Sequence, residues 1–99
     1  MDSNYQIRWT DESIQNLENI LDNIKITWNE NEVNNFKSKL SHQLKIIQRF
    51  PMIFPASEYN SRLRKAVMSK QTSLFYEFKD DIIFIVSIFD NRQNPKRIK

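Results

Sequence analysis

Apolar side chains recur along the chain with two different periods. Tyr5, Ile7 and Trp9 alternate with polar residues, which is typical of a short β-strand that buries one face. The apolar residues that follow are three and four positions apart and form one helical stripe: Ile14, Leu17, Ile20, Leu21 and Ile24. Thr10 precedes this stripe as a favourable N-cap residue, and two acidic residues after it suit the helix dipole. The pattern predicts a strand followed by an α-helix.

A second helix is predicted to begin after Asn29. Asn29 is followed three residues later by Glu32, a spacing that resembles a capping box. The helix then carries a second apolar stripe: Val33, Phe36, Leu40, Leu44 and Ile47. It is expected to end before Pro51, because the residue ahead of a proline disfavours the α conformation. The short joint between the two helices predicts an antiparallel helical hairpin.

Three strands are predicted in the second half of the chain. Residues 62–70 and 72–79 form two strand patterns separated by a polar turn, and a tight turn then leads into residues 82–91. This last segment is apolar on both alternating faces, which favours a central strand. The order β-α-α-β-β-β predicts a single α+β domain over residues 1–99. Its helical hairpin would pack on one face of a mainly antiparallel four-stranded sheet.

The composition excludes several classes of chemistry. The chain has no cysteine, no glycine and one histidine, which excludes disulfides, thiolate catalysis, thiolate or histidine-rich metal sites and glycine-rich phosphate loops. The longest apolar run, residues 82–89, is far shorter than the about 20 residues that span a bilayer. The N-terminus lacks a secretory signal pattern. We therefore expect a cytoplasmic protein that uses no membrane, metal or cofactor.

Charge is distributed unevenly between the two halves of the chain. Residues 1–50 hold seven acidic and six basic residues, whereas residues 51–99 hold five acidic and nine basic residues. Two segments of the second half contain cations and no acid: Arg62, Arg64, Lys65 and Lys70 in the first, and Arg92, Lys96, Arg97 and Lys99 in the second. This asymmetry favours an anionic partner, either nucleic acid or an acidic protein. A plain solvated surface is the alternative.

Three stretches of the chain, in this order and spacing, resemble the RelE/ParE toxin superfamily. "RWTDESIQNLENILDNI" is similar to its first strand, which ends in an aromatic and a small hydroxyl residue before helix one. "LKIIQRFPMIFP" resembles the end of its helix two, where a leucine-rich face runs into Phe-Pro. "LRKAVMSKQTSLFYEFKDDIIFIVSIFDNRQNP" is similar to its last three strands, with the aromatic pair at Phe75 and Tyr76 and an arginine at Arg92. The likeness covers nearly the whole chain.

The resemblance implies the toxin of a bacterial type II toxin-antitoxin system, with growth inhibition and plasmid stabilisation as its roles. Such a toxin is small, basic and cytoplasmic, and its cognate antitoxin wraps it with an extended acidic segment to form a hetero-oligomer. Two target classes share this fold. RelE-like members cleave messenger RNA in the ribosomal A site, whereas ParE-like members act against DNA gyrase. The fold alone does not decide between these targets.

The catalytic residues of RelE-like toxins carry over to this chain only in part. Cleavage by these toxins needs fixed cations around a phosphate and groups that transfer protons. The resemblance places Arg64 and Arg92 at two of the cationic positions, while Ala66 and Ser73 occupy two others. The tyrosine or histidine expected after Arg92 is missing. Arg64 and Arg92 are therefore candidate catalytic residues, and whether the protein is an endoribonuclease stays open.

Five further residues are candidates for binding nucleic acid or a protein target: Tyr59, Arg62, Lys65, Lys96 and Arg97. Our hypothesis is that Arg62, Arg64, Lys65 and Arg92 converge at one edge of the sheet. Alternatively, these cations are solvent-facing charges of an edge strand or of a basic tail. Tyr76 is expected to pack in the core, and His42, off the apolar stripe, is expected at the surface. A degenerate superfamily member that mainly binds protein is the alternative function.

Overall fold

The computed structural model describes residues 5–91, and its elements follow the predicted order. They are β1 (Gln6–Trp9), α1 (Asp11–Thr27), α2 (Glu30–Arg49), β2 (Arg64–Val67), β3 (Thr72–Lys79) and β4 (Ile82–Asp90). Within the described range, no helix combines the length and the apolar character that crossing a membrane requires.

The four strands form one sheet in the order β1-β4-β3-β2. β1 is parallel to β4, whereas the β2–β3 and β3–β4 pairs are antiparallel. The sheet is therefore mixed and mainly antiparallel, as predicted. β4 lies between two strands, which confirms it as a central strand. Its apolar character follows from this position, because Ile83 and Ile85 are fully buried on the face that the helices cover.

The first residues of α1 attach the helix to the centre of the sheet. The Thr10 hydroxyl accepts a hydrogen bond from the Ser13 backbone N–H, which confirms Thr10 as the N-cap. The same hydroxyl lies 2.9 Å from the carbonyl oxygen of Ile85, to which it donates. The side-chain oxygen of Asn16 accepts from the Ile88 N–H at 3.0 Å. These contacts satisfy backbone groups of β4 beyond the end of β1.

The core lies between the helical hairpin and one face of the sheet. Its buried apolar residues are Ile20, Ile24, Phe36, Leu40, Ile47, Ala66, Leu74, Tyr76, Ile83, Ile85 and Ile88. The predicted stripe of α1 is wrong at Ile14, which is exposed, while the adjacent Ser13 is fully buried. Successive residues of an α-helix are rotated by about 100° around its axis. The side of α1 that meets β4 therefore contains Ser13 and not Ile14. Ser13 can be buried because its hydroxyl donates to the Thr10 carbonyl at 2.8 Å.

Strand β2 is shorter than the predicted 62–70, because turns at both ends use its outer residues. At the start, the Arg62 N–H donates to the Asn60 side chain and the Leu63 N–H to the Asn60 carbonyl. At the end, the Met68 N–H donates to the Thr72 carbonyl and closes the turn into β3. Local side-chain hydrogen bonds of Asn and Ser compete here with the strand ladder.

The β3–β4 turn is strained because the chain contains no glycine. Asp80 and Asp81 have φ values of 54° and 63°, the left-handed pair that a two-residue type I′ turn requires. Glycine adopts this conformation without a steric cost. Replacing Asp81 with glycine should therefore raise the free energy of unfolding by about 0.5–1 kcal/mol. Urea denaturation measures the change, and Asp81→Ala should lower stability instead. A loss of stability in the glycine variant would contradict this account of the turn.

Candidate target-binding site

The face of the sheet opposite the helices is open and carries two rows of side chains. Lys65, Phe75 and Ser87 are paired across β2, β3 and β4. The adjacent row contains Val67, Ser73 and Phe89, and its two outer residues are exposed. Residues two apart on a strand share a face, so both rows lie on the same surface. The fold thus presents a mixed aromatic, hydroxyl and cationic surface, whereas the opposite face holds the core.

A groove of about 500 Å³ lies on this open face. Its lining comes from α1, the loop before β2 and the three antiparallel strands: Glu12, Asn16, Tyr59, Lys65, Ser73, Phe75, Ser87, Ile88 and Phe89. Tyr59 is 90% exposed and stands at the groove wall. The structure thus brings together two of the predicted binding residues, Tyr59 and Lys65. We call this feature the open-face groove.

Arg64 faces the other way. Neighbouring residues of a strand point to opposite faces, and Arg64 pairs with the fully buried Tyr76 while Lys65 pairs with Phe75. The Arg64 guanidinium donates to the carbonyl oxygens of Phe54 at 2.6 Å and Met52 at 3.4 Å. Both bonds hold the loop after α2. Arg64 and Lys65 therefore both lie on the edge strand, as the convergence hypothesis requires, but they face opposite sides of the sheet.

Of the remaining predicted cations, the structure describes Arg62. Arg62 is exposed in the turn before β2 and does not line the groove. Arg92, Lys96 and Arg97 lie outside the described residues, so their predicted roles stay predictions. β2 and β4 are not neighbours in the sheet, because β3 lies between them.

Tyr76 is a core residue, as predicted. Its side chain is fully buried, and its hydroxyl donates to the Pro51 carbonyl oxygen at 2.6 Å. Burial raises the pKa of Tyr76 to about 12, against the opposing effects of the Arg64 charge and a backbone hydrogen bond from Phe54. The hydroxyl therefore keeps its proton at neutral pH. His42 is exposed on α2, which confirms its predicted surface position.

A second groove, of about 400 Å³, lies where the helical hairpin meets β1. Leu17, Leu21 and Leu44 line it and are half-buried, although the sequence patterns assigned them to the core. Lys37 and Lys45 stand at its rim. The sequence signal that could have revealed it is the width of the α1 stripe, since Leu17 and Leu21 lie beside the fully buried Ile20 and Ile24. We call this feature the hairpin groove.

Comparison with protein families identifies the class of protein. The model of the ParE toxin of type II toxin-antitoxin system, parDE, matches residues 7–95. The chain belongs to the ParE toxin family. The match includes both helices and, apart from Gln6, all four strands of the structure. No curated protein sequence matches the chain significantly. The protein is accordingly a type II toxin, and its partner is an antitoxin.

Solved structures with the same fold include toxins of this class. The chromosomal ParDE toxin-antitoxin system from P. aeruginosa contains a chain that superposes with a TM-score of 0.74 at 15% identity, covering 90% of this ParE-family toxin and 98% of that chain. The E. coli DinJ-YafQ toxin-antitoxin complex gives a TM-score of 0.62 at 9% identity, with 90% and 94% coverage. A conserved hypothetical protein from Helicobacter pylori gives 0.59 at 12% identity, with 89% and 96% coverage. These likenesses establish the fold.

Proposed function

We propose that this ParE-family toxin arrests growth by binding DNA gyrase through the open-face groove, without cleaving RNA. The observation that supports this most directly is the position of Arg64. Its guanidinium is engaged by the Met52 and Phe54 carbonyls on the helix-facing side of β2. A cation held there does not face a phosphate bound on the open face.

Within residues 5–91, the groups that line the open-face groove suit binding better than phosphodiester cleavage. Lys65 is the cation that the described residues bring to the groove, and the candidate positions Ala66 and Ser73 carry no charge. Arginine stays protonated at any working pH and is a poor general base. Tyr76 is buried and hydrogen-bonded, so it does not transfer protons to a bound substrate.

The open-face groove has the composition of a protein-binding surface. Phe75, Phe89 and Tyr59 contribute aromatic area, and aromatic side chains are enriched where proteins bind each other. Ser73 and Ser87 add hydroxyl groups that donate and accept hydrogen bonds. A protein target that inserts a loop here would bury the exposed rings, whereas Lys65, the lysine that lines the groove within residues 5–91, gives by itself little attraction for an RNA backbone.

We assign binding of the antitoxin to the hairpin groove, which is separate from the open-face groove. The hairpin groove offers half-buried leucines with lysines at its rim, which suits a segment that has both apolar and acidic side chains. The two grooves lie on different sides of the molecule, one on the open sheet face and one at the helical hairpin. Toxin and antitoxin would then form a hetero-oligomer in which the antitoxin and the target use separate surfaces of the toxin.

Gyrase inhibition is tested with induced cells and purified protein. Induction should arrest growth, and co-expression of the adjacent gene product should relieve the arrest. The purified toxin should inhibit gyrase supercoiling, while primer extension finds messenger RNA intact. Lys65→Glu should weaken the inhibition about tenfold by placing a like charge against the target. Lys79→Glu is the matched control, because Lys79 is an exposed lysine on the same sheet that does not line the groove.

Two other results would replace this proposal. Cuts in messenger RNA at the ribosomal A site, with gyrase activity unchanged, would assign the RelE-like activity. Neither cleavage nor gyrase inhibition, with tight binding of the adjacent gene product, would assign a degenerate member that mainly binds protein. Equal loss of gyrase inhibition in Lys65→Glu and Lys79→Glu would remove the open-face groove from the mechanism.

A further inference from the structure

The loop that follows α2 exposes a patch of apolar side chains. Phe50, Met52 and Ile53 are 54%, 62% and 58% exposed. The residues between and after them point inward: Pro51 is buried, and the ring of Phe54 packs edge-on against Tyr76 with centroids 6.5 Å apart. We call residues 50–54 the apolar loop. Three adjacent exposed apolar side chains of this size indicate an interaction surface.

Two side chains of the sheet hold the apolar loop in one conformation. The Tyr76 hydroxyl donates to the Pro51 carbonyl, and the Arg64 guanidinium donates to the carbonyls of Met52 and Phe54. Within the loop, the Ile53 N–H donates to the Phe50 carbonyl at 3.1 Å. A buried tyrosine and a partly buried arginine thus fix three successive parts of the backbone. A partner that docks on such a loop loses little affinity to loop ordering.

The chain around the apolar loop is strongly basic. Between Glu32 and Glu77 there are eight basic residues and one acidic residue, Glu58. Lys45 and Arg49 are exposed one turn apart at the end of α2, immediately before the loop. The Arg49 guanidinium lies over the Phe50 ring, 5.6 Å from its centroid. Positive charge therefore flanks the exposed apolar side chains on the α2 side and extends to the rim of the hairpin groove, which Lys45 also lines.

We infer that the apolar loop and the basic last turns of α2 form one docking surface for an acidic protein segment that carries apolar side chains. The segment belongs to the antitoxin, and this assignment rests on the toxin-antitoxin pairing in the proposed function. Its carboxylates face Lys45 and Arg49, and its apolar side chains cover Met52 and Ile53. The docked segment continues from the loop toward the hairpin groove.

Two other occupants fit the same surface less well. A nucleic acid would use the cations, but it would leave the aliphatic Met52 and Ile53 in water, and Arg49 already covers one face of the Phe50 ring. A second copy of this chain, docked by two-fold symmetry, would bring Lys45 and Arg49 against the same basic surface. An acidic apolar segment satisfies both the charge and the exposed apolar area.

The inference is tested by antitoxin binding to full-length toxin variants, measured by isothermal titration calorimetry. The probe is the purified product of the adjacent gene. Ile53→Glu should raise Kd about tenfold or more, because it removes apolar contact and adds a repulsive charge. Ile53→Lys should raise Kd less, because the charge attraction is kept. Ile26→Glu is the matched control: Ile26 is an 83% exposed isoleucine on α1, and its substitution should change Kd less than about twofold.

Salt and growth assays separate this inference from the proposed function. Raising NaCl from about 50 to about 300 mM should weaken antitoxin binding of the unaltered toxin at least about tenfold. The Ile53→Glu toxin should still arrest growth, and the antitoxin should relieve the arrest less completely than it does for the unaltered toxin. If the unaltered toxin fails to arrest growth, the proposed function is wrong, while the Kd series still decides the docking surface.

Six results would overturn the docking surface. An unchanged Kd for Ile53→Glu, or an equal change for Ile26→Glu, would remove the apolar loop from the interface. Equal losses for Ile53→Glu and Ile53→Lys, or a salt-independent Kd, would show that the partner segment is not acidic there. Loss of growth arrest with unchanged antitoxin binding would assign the loop to the target. Binding of a labelled single-stranded RNA that is lost in Ile53→Glu, with unchanged antitoxin binding, would assign it to nucleic acid.

Discussion

Replacing Ile24 with alanine should lower the free energy of unfolding by about 2–5 kcal/mol, because the substitution leaves a cavity in a packed core. Ile24 is 1% exposed and belongs to the core cluster between the helical hairpin and the sheet. A toxin of 99 residues has a single small core. Its total stability is expected to be about 5–15 kcal/mol. The Ile24→Ala variant should therefore unfold at a much lower urea concentration, with growth arrest reduced through loss of folded protein.

The matched control lies two residues further along the same helix. Ile26 is 83% exposed in the last turn of α1, so Ile26→Ala removes the same atoms without opening a cavity. Its stability should change by less than about 0.5 kcal/mol, with a slight gain from the better helix propensity of alanine. Urea denaturation followed by circular dichroism compares the two variants. Equal losses of stability would contradict the packing of α1 on the sheet.

Replacing Tyr76 with phenylalanine should cost about 1–3 kcal/mol at neutral pH, because the buried Pro51 carbonyl loses its donor. The aromatic ring and its packing against Phe54 are retained, so the loss reports on the hydroxyl. The same bond holds the apolar loop. The variant should consequently bind the antitoxin more weakly, and Tyr76→Phe links core stability to the proposed docking surface.

The Tyr76 hydroxyl also gives the toxin a pH-dependent stability. Burial raises the pKa of Tyr76 to about 12 in the folded protein, from 10.0 for an unburied tyrosine. The unfolded chain therefore loses this proton first as the pH rises. The contribution of the neutral buried hydroxyl is fully present below about pH 10 and is lost toward about pH 12, at about 1.4 kcal/mol per pH unit. The Tyr76→Phe variant should lack this part of the decline.

The difference between the two proteins isolates Tyr76, because every other titrating group is present in both. The urea midpoints of the unaltered protein and of Tyr76→Phe, measured in steps from neutral to strongly alkaline pH, should converge. The unaltered protein should lose its greater stability as the pH rises. Parallel curves would mean that the hydroxyl is not buried with its proton. Tyr5→Phe is a suitable control, because Tyr5 is half-buried at the edge of the sheet and packs against Phe78.

Short-range patterns were sufficient for the elements and their order. The α1 and α2 stripes and the alternation in β3 predicted helix and strand correctly, because burial on one face imposes a different period on each. Thr10 and Asn29 were recognised as caps because a cap bonds to a backbone N–H three residues away. The ordered resemblance over nearly the whole chain also predicted the toxin superfamily, which the family match confirms.

Contacts between distant segments determined the surfaces. Alternation along a strand separates Arg64 from Lys65, but pairing of Arg64 with the buried Tyr76 decides which of the two faces the helices. The Arg64 and Tyr76 bonds to the apolar loop join residues 10 to 25 positions apart, beyond any local period. Ser13 replaced Ile14 at the buried face because α1 packs against β4 with its Ser13 side inward, where the Thr10 carbonyl accepts from the Ser13 hydroxyl. Helix and strand type follow from neighbours in the chain, whereas the direction of a functional side chain follows from the element packed against it.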